Sequence, residues 1–401
     1  METPCTISHV AVQMGHDERE AEHAHLAELC AQFDVSAPAA RASCFYQTFG
    51  DVELRWERHT EFSTYTFVRK VRANALQEPS ALSQIPADWL SEMPGKATTA
   101  LHLAFNSAEG PPEPLELEGY FENQPLRGSV VRQGTAYLYS SFRLHSDGFG
   151  RLLLQAHGLS ALQAGRLVQR VLEIETYRVM ALLALPVARA ITPEVGAMER
   201  ELAQINEALA EADEQTNQHA LLDELSHLAA RVERMRSDTT YRFAATNAYF
   251  DLVRERNREL TEEKIPGLQL IHVFIKRRLA PGIRTCNAVR DRLDGLSRRI
   301  GQTSSLLRAR VEISIQGQNR ELLESMNRRS EAQLRLQQAV EGLSVVAITY
   351  YMMGLLGYVW EGVVWAGWPW SKKLTFAVAV PVIMLIAWRG IHGVKRRVVG
   401  H

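Results

Sequence analysis

Four side chains near the N-terminus are of the types that bind zinc: His16, His23, His25 and Cys30. Imidazole and thiolate are the usual zinc ligands. On a helix, however, residues two apart project roughly 200° apart, so His23 and His25 cannot reach one metal ion. The preferred interpretation is a solvated helix face, and no zinc site is predicted.

A second group of chemically capable residues lies in the string WERHTEF at Trp56–Phe62. If this string is a strand, His59 and Glu61 project to one side and Arg58 to the other. The pair could act as acid and base, but a polar cross-strand face or a subunit contact is the favoured interpretation.

Motifs of common enzyme classes are absent from the sequence. The string DGFGRLL at Asp147–Leu153 has a GxG but no third glycine, and it sits between two strand patterns, which predicts a hairpin turn. No P-loop, nucleophile elbow or HExxH pattern occurs. The chain is therefore predicted not to be an enzyme, and these motifs indicate no certain cofactor.

The third candidate lies in an uncharged stretch, Leu343–Trp360, which would span roughly 27 Å as a helix and is predicted to be the first transmembrane helix. One face of the helix that contains this stretch, taken from Val340 to Glu361, mixes small, polar and acidic residues. If that face lined a pore, the tyrosine hydroxyls and a ring of Glu361 carboxylates would attract cations. The candidate pore-lining residues are Val340, Ser344, Ala347, Tyr351, Gly354, Tyr358 and Glu361.

An alternative for the same residues stays open. Tyr358 and Glu361 are also typical of a membrane interface, and Gly354 and Gly357 would then only allow close helix packing.

A second transmembrane helix is predicted over residues 374–391, with tryptophans and basic residues at its ends. Basic residues are concentrated before the first span and after the second, whereas the loop of residues 361–373 offers only Lys372 and Lys373. Both termini are therefore predicted to face the cytoplasm, in a bacterial inner membrane. The lipid bilayer is the first predicted partner, and residues 392–401 form a basic cytosolic tail.

The rest of the chain is predicted to be a soluble body of α+β class. Strand and helix patterns alternate over residues 1–160, which predicts an α/β domain. Residues 161–281 are predicted to form antiparallel helices, with breaks at 191–195, at 263–269 and at Pro281. Residues 282–342 are predicted to form one long stalk helix that continues into the first span. With 45 Lys and Arg against 46 Asp and Glu, nucleic acid is an unfavoured partner.

The apolar residues of the stalk recur at spacings of three and four, as in a helix that packs against copies of itself. They include Leu306, Val311, Ile315, Leu322, Met326, Leu336 and Val340. Self-association is therefore predicted.

This order of elements resembles the CorA divalent-cation transporters, and LSVVA at Leu343–Ala347 looks like the start of their pore helix. The chain is more similar to a bacterial family of uncharacterised membrane-anchored proteins. Three strings carry that likeness: WERHTEFSTYTF at Trp56–Phe67, RRLAPGIRTC at Arg277–Cys286 and LRLQQAVEGLSVVAITYY at Leu334–Tyr351.

The CorA resemblance implies a homopentamer that carries a divalent cation through a central pore. One departure bears on this: CorA proteins carry a Gly-Met-Asn signature after the first span, and none occurs in this chain. We therefore keep two hypotheses: a CorA-like cation channel or transporter, and a membrane-anchored oligomeric scaffold or sensor without transport.

Overall fold

The computed structural model describes residues 2–15, 18–211, 218–365 and 372–398. The described chain divides into two compact units. The larger comprises Met1–Ala212 and Ala220–Ser304, and the smaller comprises Asp213–His219 and Ser305–His401. The larger unit contains an N-terminal α/β domain built on one sheet, and the helices that follow it.

The larger unit is built on a nine-stranded sheet with the spatial order β2-β3-β4-β1-β5-β8-β7-β6-β9. Every neighbouring pair is antiparallel except β5 with β8, which is parallel. The strands are β1 (Cys5–Gln13), β2 (Cys44–Phe49), β3 (Val52–Arg58), β4 (Phe62–Lys70), β5 (Lys96–Ser107), β6 (Arg127–Val131), β7 (Ala136–Leu144), β8 (Gly150–Ala156) and β9 (Glu263–Lys264).

Alternation of side chains gives the sheet two different faces. In β3, Leu54 and Trp56 are buried against α1 (Arg19–Gln32) and the short helix α2 (Ala87–Ser91), whereas Arg55 and Glu57 point the other way. That other face packs against α4 (Ala161–Met180), chiefly through Leu167 and Val171. A further short helix, α3 (Pro114–Tyr120), lies between β5 and β6 in sequence.

The predicted hairpin at Asp147–Gly148 is present. β7 and β8 pair antiparallel on either side of it, and Gly148 has a φ of 80°, which glycine adopts without steric cost. The strand pattern of this region was therefore sufficient to locate the turn.

The helices after the sheet begin at a capping box, in which the Ser160 side chain accepts a hydrogen bond from the Gln163 backbone N–H. Helices α5 to α7 share one core in which Met198, Leu202, Leu228 and Leu293 are buried. The remaining helices are α5 (Ala184–Glu211), α6 (Gln218–Glu259), α7 (Ile271–Trp365) and α8 (Lys372–Val398).

Two predicted helix breaks are wrong. α5 continues through Pro193, and α7 continues through Pro281. A proline inside a helix removes one hydrogen bond. Neighbouring residues such as Val195 and Leu279 are fully buried, and packing of this kind supplies most of the stability of a helix in a protein. At Gly282 of α7 the Leu182 side chain approaches closely. A Cβ added to this glycine would lie 2.9 Å from Leu182 Cδ2. The third predicted break, at 263–269, is correct and contains β9.

Two helical stretches of the described chain are long and apolar enough to cross a membrane: Ala161–Glu211 and Ile271–Gly362. The first has protein partners, because α4 and α5 bury their apolar sides in the larger unit. In the second, only 6% of the most apolar window is buried, and it contains the predicted span Leu343–Trp360. The second predicted span coincides with a shorter apolar helix, Phe376–Gly390.

Candidate functional site

The seven candidate pore-lining residues lie on one face of α7, within the smaller unit. At 100° per residue they fall within a sector of roughly 100°. The tyrosines are strongly exposed, Tyr351 by 71% and Tyr358 by 78%. Val340, Ala347, Gly354 and Glu361 are also exposed, and Ser344 is half-buried.

The opposite side of α7 meets α8. Val345 is buried, and a Cβ built on Gly357 would lie in van der Waals contact with the Phe376 ring at 3.9 Å. The Ile383 side chain of α8 is buried as well. The candidate pore face thus lies away from these contacts with α8.

The exposed apolar residues of the stalk extend the same face. Leu322, Val340 and Tyr358 are spaced 18 residues apart, which is about five turns of α-helix, so they stand on one line of α7. Leu322 is 60% exposed and Val340 55%. Ile315, Met326 and Leu336 lie close to this line and are exposed too. We call these five apolar residues with Tyr358 the stalk stripe.

One polar group of this face is already engaged. The Ser344 hydroxyl donates a hydrogen bond to the Val340 carbonyl, one turn earlier, at 2.8 Å. Such bonds to the preceding turn satisfy a serine within an apolar helix. Tyr351, Tyr358 and Glu361 are therefore the residues of this face with the most to offer a cation.

A separate polar site lies in the larger unit, where residues of β1, β3, β4 and α4 line a cavity of about 160 Å³. His9 of β1 is buried beside it. Its Nδ1 lies 2.8 Å from Thr66 Oγ1, and its Nε2 lies 3.0 Å from Thr176 Oγ1. A neutral imidazole has one donor and one acceptor nitrogen, so the two threonines complete its hydrogen bonds in either tautomer.

The pKa of His9 is lowered to about 3, mainly by burial and to a smaller extent by the neighbouring His59 and Arg55. His59 lines the same cavity and stacks on Phe62 with ring centroids 4.4 Å apart. Its pKa is also lowered, mainly by burial. Both imidazoles are therefore neutral near pH 7.

The charges around this cavity are paired within the protein. Arg55 Nη2 lies 2.5 Å from Glu57 Oε1, and Arg256 Nε lies 2.5 Å from Glu173 Oε2. Gln169 also donates to Glu173, at 2.8 Å. The cavity thus offers no surplus charge and no free base, so it suits water or a small neutral molecule rather than an ion.

His59 and Glu61 do not project from one side of a strand as expected, because β3 ends at Arg58 and both residues lie in the turn before β4. The Glu61 carboxylate turns instead toward α6. Its Oε2 accepts from the Tyr249 hydroxyl at 2.8 Å, and its Oε1 lies 3.0 Å from Arg242 Nη1. The carboxylate is buried, so this contact ties the sheet to α6.

The two histidines of α1 have different partners, and neither shares a site with the Cys30 thiol. His23 Nε2 lies 2.9 Å from the Pro38 carbonyl oxygen, and His25 stacks on Trp89 with centroids 4.4 Å apart. Cys30 is a buried free thiol. His16 lies outside the described residues. Among the residues that the structure describes, no group of three or more potential ligands could hold a metal ion.

Sequence reasoning missed one constellation that resembles a catalytic triad. Ser141 Oγ lies 2.9 Å from His145 Nε2, and His145 Nδ1 lies 3.5 Å from Glu122 Oε2. Both Ser141 and His145 are buried, and Phe142 between them has a φ of 53° at a register shift in β7. We infer a structural role, because a nucleophile has to be open to its substrate.

Comparison with known protein families gives a match. A family described as "Protein of unknown function (DUF3422)" matches residues 1–398. No curated protein and no solved structure matches the chain. Because the match extends over nearly the whole sequence, the chain belongs to the DUF3422 family.

Proposed function

We propose that this chain forms a homo-oligomer in the bacterial inner membrane and passes cations along an axis lined by its first span. One observation carries the proposal: the stalk stripe and the candidate pore residues lie along one line of α7 and are exposed over most of that length. Apolar side chains exposed over that length are stable in water only when another surface covers them. Copies of the same helix are the natural cover, and five copies would follow from the CorA resemblance.

A ring of such helices would bring the tyrosines and Glu361 of all copies around one axis. A carboxylate ring attracts cations, and phenolic oxygens replace part of a hydration shell. A divalent cation is the proposed cargo by resemblance alone. Because the Gly-Met-Asn signature is absent, we expect weaker selectivity than in CorA proteins.

The first test is the mass of the full-length protein in detergent or nanodiscs. A closed ring of about five subunits supports the pore. A monomer or dimer removes it, because no central axis would then be enclosed.

The second test is cation flux into liposomes. We expect flux to be lost when Ser344, Tyr351, Tyr358 and Glu361 are all replaced by apolar residues. Tyr350→Phe is a matched control beside Tyr351→Phe, because Tyr350 is equally exposed but lies 100° around the helix. Flux that survives the fourfold replacement would rule out this pore.

The second candidate function is a membrane-anchored scaffold or sensor. It is favoured by the missing Gly-Met-Asn signature and by the polar cavity beside His9. A ring with no flux for any cation would support this function, whereas ordered ions on the axis of an experimental structure would exclude it.

A further inference from the structure

A basic cleft lies in the larger unit, between the C-terminal part of α6 and the first turns of α7. Its volume is about 480 Å³, within the range of pockets that hold small organic molecules. It shares no lining residue with the cavity beside His9, and its lining residues all precede the candidate pore face in sequence.

Three cationic side chains line this basic cleft: Arg254, Arg258 and Lys276. Arg258 and Lys276 are exposed, and neither side chain has an ion pair or hydrogen bond in the part of the chain that the structure describes. Arg254 contacts Asp251 at 3.3 Å, but both side chains are more than half exposed, so this pair is weak. The basic cleft therefore carries surplus positive charge.

The one carboxylate of the lining is engaged through one of its oxygens, whereas the other, Glu262 Oε1, is buried without a hydrogen-bond partner in the part of the chain that the structure describes. Glu262 Oε2 accepts hydrogen bonds from Ser129 Oγ at 2.7 Å and from the His272 backbone N–H at 3.1 Å. Its side chain is only 1% exposed. It therefore fixes the start of α7 and does not form a contact pair with the cations of the rim. The first backbone N–H groups of α7 are also occupied, since that of Ile271 donates to Ser129 Oγ.

The floor of the basic cleft is apolar and partly aromatic. Val253 and Ile275 are buried there, and the Arg254 guanidinium lies over the Phe250 ring, 5.9 Å from its centroid. A planar ring can extend such a stack, because guanidinium and aromatic faces attract one another. An inorganic anion would satisfy the cations but leave this floor unfilled.

We propose that the basic cleft binds a small organic phosphate that carries a planar ring, of the mononucleotide class. The phosphates would bind Arg258 and Lys276 through charge-assisted hydrogen bonds. The ring would lie against Phe250 and Arg254. This proposal is independent of the pore, and the site would serve to bind rather than to transform the ligand.

The test is calorimetric titration of the full-length protein in detergent with ADP as the probe. Pyrophosphate tests the anion alone, and adenosine tests the ring alone. We expect ADP to bind more tightly than either. Lys276→Gln and Arg258→Gln should each weaken ADP binding about tenfold, the loss of one charge-assisted bond.

Arg277→Gln and Arg278→Gln are the matched controls. Both cations adjoin Lys276 and are exposed, but neither lines the basic cleft. They should leave ADP binding within about twofold of the parent value. Circular dichroism of all four variants shows whether they are folded, and because the changed residues are exposed, we expect them to be.

Three results would overturn the proposal. The first is no binding of ADP at millimolar concentration. The second is pyrophosphate that binds as tightly as ADP, which would indicate an anion site without ring recognition. The third is binding to phosphatidylglycerol vesicles that depends on Lys276 while ADP does not bind, which would assign the basic cleft to lipid headgroups.

Discussion

His9 Nε2 lies 3.0 Å from the hydroxyl oxygen of Thr176, which joins the central strand β1 to helix α4 across 167 residues of chain. The imidazole is buried, and its other nitrogen is bound to Thr66. This contact orients α4 on the sheet, since an unpaired ring nitrogen at this depth would be unfavourable.

Thr176→Val should therefore destabilise the larger unit by about 1–3 kcal/mol, because it keeps the shape but leaves one buried nitrogen unpaired. Denaturant unfolding of the full-length protein in detergent measures this change. Thr240→Val is the matched control, since the Thr240 hydroxyl bonds its own helix at an exposed position. Equal losses in the two variants would contradict the prediction.

Stability should fall as the pH is lowered below about 6.5. The pKa of His9 is lowered to about 3 and that of His102 to about 4, both mainly by burial. At a pH between these values and the ordinary histidine pKa of about 6.5, the unfolded chain binds protons that the folded chain does not. Each histidine should then contribute a slope of roughly 1.4 kcal/mol per pH unit.

Unfolding free energies measured from pH 7 to pH 4.5 check this slope. His9→Gln keeps a polar amide at the site but does not titrate, so it should reduce the slope. A variant with the slope of the parent protein would show that His9 is not responsible.

Glu22→Ala should be strongly destabilising. The carboxylate is fully buried and accepts hydrogen bonds from Trp56 Nε1 at 3.0 Å, Tyr65 Oη at 3.1 Å and Arg58 Nε at 2.9 Å. Its removal leaves a guanidinium and two donors unpaired, at a cost of about 3–5 kcal/mol. Glu20→Ala, on the exposed side of the same helix, should change the unfolding free energy by less than about 0.5 kcal/mol.

Gly282→Ala should lower the thermal midpoint, because the added methyl group would lie 2.9 Å from Leu182 Cδ2 and 3.3 Å from Leu185 Cδ2. Overpacking of this kind costs about 1–3 kcal/mol. Gly295→Ala in the same helix has space, with its nearest neighbour 3.9 Å away, and should raise the midpoint through helix propensity. A stabilised Gly282→Ala variant would show that α7 shifts easily here.

Leu322→Lys should dissociate the proposed oligomer. Each copy would then bury a lysine charge at the interface between helices, which is unfavourable. Leu323→Lys is the matched control: Leu323 is 64% exposed against 60% for Leu322, but it lies 100° away from the stalk stripe. The oligomeric mass measured in detergent checks both variants. If both variants lose subunits to the same extent, the contact between copies does not follow the stalk stripe.

Part of the fold and of the candidate site is readable from the sequence. Alternating residues in β3 and the turn at Asp147–Gly148 have local signals, and both are present in the structure. The spacing of Leu322, Val340 and Tyr358 likewise fixes that they share one helical face, whatever covers it.

The boundaries of the helices were harder to predict from the sequence. Pro193 and Pro281 each predict a break, yet both helices continue, and neighbouring residues such as Val195 and Leu279 are buried in the cores of the larger unit. A proline in the sequence indicates the local cost of a lost helix hydrogen bond. The packing that favours the helix comes from residues that are distant in sequence.

The sequence by itself determined which residues alternate, which turn and which share one helical face, because these depend on the local repeat of strand or helix. Only the tertiary structure decided the partners of His9 and Glu61 and the gathering of Arg258 with Lys276 in one cleft. Those contacts join residues on different elements, and their geometry depends on strand register and helix packing. A local pattern specifies the face that a side chain occupies, but not the residue that it meets.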